Sequence, residues 1–169
     1  ERALELLVKI LEDKSQEPMV RHEAGEAIGA LGKADSIKIL EKYVNDPVIE
    51  VAETCTLAVD RLKWLQEENQ DNLSSNPFMS VDPAPPLGIT DIGELKKILI
   101  DENESLFTRY RAMFSLRNIS NEESTLALCE GLKCKSALFK HEIAFVLGQL
   151  QNAAATNALI ESLKDLEEN

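Results

Sequence analysis

"PMVRHEAGEAIGALG", residues 18–32, is the stretch on which the reading of the fold turns. Pro18 suits the first position of a helix, where its missing N–H is not needed and its fixed φ is already helical. Ala24, Ala27, Ile28 and Leu31 follow at helical spacing, which predicts a helix packed against neighbours. The stretch also sets His22 and Glu23 side by side, in what should be the first turn of that helix.

Outward from it the same period continues. "ALELLVKIL", "SIKILEKYV", "VAETCTLAVDRLKWL", "IGELKKILI", "YRAMFSLRNI", "STLALCEGL" and "HEIAFVLGQL" all carry apolar residues at three- and four-residue steps, and about nine helices are expected. No segment alternates as a strand does. The breaks are short and hold turn residues, as at Gly32-Lys33-Ala34-Asp35, Asn45-Asp46-Pro47 and Ser120-Asn121. The chain therefore predicts an all-α fold.

The helices also repeat. "VRHEAGEAIGALGKADSIKILEKYVND" lies over "FKHEIAFVLGQLQNAAATNALIESLKD", with His22 on His141, Glu23 on Glu142, Ile28 on Leu147, Gly29 on Gly148, Leu40 on Leu159 and Asp46 on Asp165. Two segments fit more loosely and put Val51-Ala52 and Tyr110-Arg111 in the His-Glu columns. The step is about 30 residues, two helices per unit, which is the signature of a HEAT-like α-solenoid. Gly29 and Gly148 recur inside helices, where glycine costs about 1 kcal/mol, so a neighbouring helix is expected to pass close to both.

One stretch interrupts the array. "QEENQDNLSSNPFMSVDPAPPLGITD" is polar and proline-rich, and Pro83, Pro85 and Pro86 favour extended backbone. Residues 1–65 are read as one helical block, 66–90 as a flexible linker and 91–169 as a second block. The chain opens in mid-pattern without Met, and is read as a piece of a longer protein.

Composition narrows the function classes. With 30 acidic and 18 basic residues the net charge is −12, which argues against a nucleic-acid backbone as partner and favours a cationic one. No apolar run reaches the roughly 20 residues of a membrane span, so no membrane partner is expected. Cys55, Cys129 and Cys134 are too few, and odd in number, for a disulfide framework. They are read as small core or boundary residues in a reducing, cytoplasmic setting.

The chemistry sits in the His-Glu pairs. Val51-Ala52 and Tyr110-Arg111 show that the scaffold does not need them. A Glu near a helix start also suits the macrodipole, which is the plain reading of one pair alone. But the chain has only two histidines, both precede Glu, and both fall in one repeat column. Imidazole plus carboxylate is the donor set of non-haem iron sites, which want two His and a carboxylate with positions left open. His22, Glu23, His141 and Glu142 are thus the candidates for a metal-binding or catalytic role, each pair needing a second helix to complete a metal site. The spacing is not that of the HExxH zinc motif.

At these residues the chain resembles a known family. "SQEPMVRHEAGEAIGALG", "DPVIEVAETCTLAVDRLKWLQ", "SVDPAPP", "LFTRYRAMFSLRN" and "SALFKHEIAFVLGQLQ" look like deoxyhypusine hydroxylase, over essentially the whole chain. The resemblance implies HEAT repeats in two halves and four His-Glu motifs holding two Fe2+ per complete site. It also implies a reaction that uses O2 to hydroxylate deoxyhypusine on a eukaryotic translation factor. His22-Glu23 matches the second motif and His141-Glu142 the third; the first and fourth are absent. By resemblance His22 and Glu23 hold one iron and His141 the other, while Glu142 is either a ligand or the catalytic carboxylate that meets the substrate amine.

Three further expectations follow. Two copies could exchange halves in a domain-swapped homodimer and so assemble four pairs, with the linker giving the freedom and a lone chain inactive. A HEAT-repeat binding scaffold without catalysis is the competing reading, which would lose nothing if His22 and His141 were replaced. A bilin-handling relative, built on similar short repeats, would bind a tetrapyrrole and need no oxygen.

Overall fold

The computed structural model describes residues 2–67 and 73–165. Those residues form two compact units, one of residues 2–67 and 81–84, the other of residues 73–80 and 85–165. Among the described residues there are nine α-helices and no strands, so the all-α solenoid reading holds. None of these helices is long and apolar enough to cross a membrane.

The first unit contains α1 (Arg2–Glu12), α2 (Pro18–Ala30), α3 (Ile37–Leu40) and α4 (Ile49–Trp64). Pro18 opens α2 as expected. Its apolar faces close one core of Leu11, Ala24, Ile28, Leu40, Val51, Cys55, Ala58, Val59 and Leu62. The contact between α2 and α4 is close because α2 has glycine where α4 passes. A Cβ on Gly29 would stand 2.7 Å from that of Ala58, and one on Gly25 would stand 3.3 Å from Thr54 Cγ2. Residues 25 and 29 meet 54 and 58 in ascending order, so the two helices run in the same direction. Here the expected close approach at Gly29 is met.

Arg21, one residue before His22, ties this unit together. Its Nε donates to Leu11 O at the end of α1 (2.9 Å), and its two terminal nitrogens grip Asp46 at 3.1 and 2.6 Å. Asp46 also accepts from Val48 N at the start of α4. Both side chains are almost wholly buried. The Arg21 hydrogen bond holds the Asp46 carboxyl below its usual range, and Asp46 in turn raises the guanidinium.

The second unit contains α5 (Ile92–Ile100), α6 (Leu106–Ile119), α7 (Glu122–Glu130), α8 (Ala137–Leu150) and α9 (Thr156–Lys164). Four of these starts are capped by side chains: Asp91 on Glu94 N, Ser105 on Thr108 N, Asn121 on Ser124 N and Ser136 on Phe139 N. Tyr110 on α6 packs on Phe139 of α8, ring centroids 5.1 Å apart. Arg109 repeats the Arg21 device: it fills the same repeat column, and its Nε donates to Leu99 O near the end of α5 (3.0 Å).

Parts of the proline-rich stretch are hydrogen-bonded to α6. On α6, Asn118 donates to Ser74 Oγ, Arg117 to Asn76 Oδ1, and Arg111 to the carbonyls of Pro85 and Pro86. Ser115 Oγ accepts from Leu87 N. Arg117 is fully buried between the rings of Phe78 and Phe114, 4.7 Å from each. The sequence suggested freedom because it is polar and rich in proline. Groups at residues 74, 76 and 85–87 instead find partners on α6.

Candidate metal centre

His22 and Glu23 lie one turn into α2, not in its first turn, because the helix begins four residues earlier at Pro18. That is beyond the reach of the macrodipole, so the plain reading of Glu23 as a dipole partner loses its basis. His22 is 4% exposed. Its column points at the next helix of the same layer, as it does for Tyr110, which meets Phe139 on α8. On α4 the neighbour is Thr54, and His22 Nδ1 is hydrogen-bonded to its Oγ1 at 2.5 Å.

With Nδ1 engaged, the other ring nitrogen faces carboxylates. Nε2 is 3.9 Å from Glu23 Oε1 and 3.7 Å from Glu26 Oε2. Glu26 was not singled out in the sequence, although its i+4 spacing from His22 is the signal that places both on one helix face. The Glu23 side chain is 70% exposed and that of Glu26 is 37% exposed. Partial burial, with the Glu23 charge added, raises the Glu26 carboxyl above its usual range. The centre is therefore a buried, oriented imidazole whose outer nitrogen looks onto two acidic side chains.

The second pair differs. His141 and Glu142 lie one turn into α8, at the same point in the frame, but His141 is exposed and Glu142 half-buried. Phe145 is 57% exposed, and a Cβ on Gly148 would meet nothing within 4 Å. The close approach expected at Gly148 is thus not found. Among the described residues no helix flanks α8 on that side as α4 flanks α2.

The donor types fit iron in both places: imidazole nitrogen and carboxylate oxygen, with room for further ligands. Among the described residues, no three His, Cys, Asp or Glu side chains are gathered closely enough to hold a metal ion. The cysteines take no part, since all three are buried and free, and burial pushes the Cys55 thiol up to about 12.

Comparison with known proteins agrees with this frame. The HEAT repeats family matches residues 1–60, and the PBS lyase HEAT-like repeat family matches residues 108–134 and 139–165. The deoxyhypusine hydroxylase of Drosophila pseudoobscura pseudoobscura is 58% identical over 168 residues, which cover 99% of this chain and 55% of the relative. The human deoxyhypusine hydroxylase is 56% identical over 168 residues, again 99% of this chain and 55% of the relative. A solved structure of human deoxyhypusine hydroxylase in complex with glycerol superposes with a TM-score of 0.92 at 55% identity, over 99% of this chain and 58% of that one. The chain is a HEAT-repeat homologue of the deoxyhypusine hydroxylases. It spans little more than half the length of these hydroxylase relatives.

Proposed function

We propose that this chain forms part of a deoxyhypusine hydroxylase, and that its two His-Glu pairs each supply part of a diiron site. The observation that carries the reading is His22: a nearly buried imidazole, held at Nδ1, with Nε2 turned to two carboxylates. The identity to hydroxylases across 99% of the chain supports it. In this reading His22 and Glu23 hold one iron and His141 the other. Glu142 is either a ligand or the carboxylate that receives the substrate amine. The irons, when bound, supply the activation of O2 for hydroxylating the deoxyhypusine side chain of a translation factor. The chain's net charge of −12 draws in that polyamine-like, cationic arm. Three buried free thiols suit a reducing, cytoplasmic setting.

The open side of α8 is where a further helix would complete the His141 part. A second copy of this chain is one source of that helix, giving a homodimer with four His-Glu pairs.

The test is iron per chain after anaerobic Fe2+ loading, on a size-fractionated sample whose molar mass is read by light scattering. The reading expects iron that is lost in His22→Ala. A dimer with about one iron per chain would mean that two copies rebuild the two-metal site. Iron content unaffected by both His22→Ala and His141→Ala would contradict the reading and leave a binding scaffold.

A further inference from the structure

His22 is held by a residue outside the His-Glu pairs. Thr54 lies on α4, is 3% exposed, and meets His22 Nδ1 through Oγ1. Its two branches are both engaged. The methyl packs where Gly25 has no side chain, since a Cβ there would stand 3.3 Å from Cγ2, and the hydroxyl sits on the imidazole. A β-branched side chain fixed on both branches has no other rotamer to take without a clash or a lost hydrogen bond. Gly25 and Gly29 admit α4 so closely that this hydroxyl can reach the ring.

We propose that Thr54 is the positioning residue for His22: its Oγ1 accepts from Nδ1–H, which leaves the lone pair of the neutral ring on Nε2, facing Glu23 and Glu26. The inference rests on the reading of His22 as a metal ligand. Ligating histidines are oriented in this way, by an acceptor on the nitrogen that does not bind the metal. In the opposite arrangement Thr54 would donate, Nε2 would carry the proton, and no lone pair would face the carboxylates. Among the described residues no equivalent hydroxyl meets His141, which is exposed.

Two readouts test the assignment. The first needs no metal. A long-range nitrogen–proton spectrum of the His141→Ala chain, at about pH 9 where an ordinary imidazole is neutral, reports which nitrogen of the remaining ring is protonated. The proposal expects Nδ1–H; a ring protonated at Nε2 overturns it. The second is titration with Co2+ alone. Thr54→Val is expected to weaken binding roughly 10- to 100-fold, the span usual when a ligating histidine loses its outer partner. Thr54→Ser, which keeps the oxygen, is expected to restore it. Thr54→Val with unchanged affinity and unchanged tautomer overturns the proposal. If His22→Ala binds Co2+ as tightly as the unaltered chain, the ligand reading falls and the proposal with it. The two failures are distinguishable, because the spectrum reports the hold of Thr54 with no metal present.

Discussion

The same dipeptide occupies the same repeat position twice and meets two different environments. On α2, His22 is covered by α4, tied to Thr54, and turned toward Glu23 and Glu26. On α8, His141 and Phe145 are exposed, and among the described residues nothing stands within 4 Å of a Cβ on Gly148. Neither the dipeptide nor its own helix makes this difference. The following helix of the layer makes it, by covering the column and bringing an oriented hydroxyl. In a solenoid each repeat packs only on its neighbours, so what surrounds a side chain on one repeat is set by the repeat beside it.

The comparison can be broken most forcibly at Arg21 and its column partner Lys140. Arg21→Ala would take from the buried Asp46 carboxylate both of its guanidinium hydrogen bonds, leaving the one from Val48 N, and should cost about 3–5 kcal/mol in urea unfolding. Lys140 is only half-buried, and Lys140→Ala should cost about 1 kcal/mol or less. Equal losses would mean that the first unit is not locked in the way described.

Acid sharpens the same contrast. Asp46 is held below its usual range by Arg21. A depressed carboxyl contributes its stability in full above the ordinary value of about 3.9 and loses it as pH falls through the lowered native value. Urea midpoints taken between about pH 5 and pH 2 should therefore fall more steeply for the unaltered chain than for Asp46→Asn. Parallel curves would deny Asp46 this role.

The glycines give smaller effects of opposite sign. Gly29→Ala forces a Cβ to 2.7 Å from that of Ala58 and should destabilise by about 1–3 kcal/mol. Gly148→Ala meets nothing within 4 Å and should stabilise by up to about 1 kcal/mol through helix propensity alone. A loss at both positions would show that α8 has a close neighbour after all.

Much of this was legible in the sequence, and the limits have physical reasons. The helices, the repeat step and the His-Glu column follow from a 3.6-residue period and from self-similarity, which are local properties. The close neighbour expected at Gly29 is found, while among the described residues none meets Gly148. A glycine signals that a close neighbour can be accommodated, and whether a neighbour is there is a matter of packing. Glu26 could have been found from its i+4 spacing. Thr54 could not, since its link to His22 crosses between helices and Thr54 has no partner motif in sequence. The anchors of the polar, proline-rich stretch, Arg111, Ser115 and Arg117, were not legible either, because they lie on a later helix.

The most direct measurement is the rate at which each histidine is carbethoxylated by diethyl pyrocarbonate, followed by mass spectrometry of the two peptides. Covering by α4 predicts that His22 reacts at least roughly tenfold more slowly than His141, limited by local opening. Equal rates for the two would contradict the claim that the following helix is what builds the site.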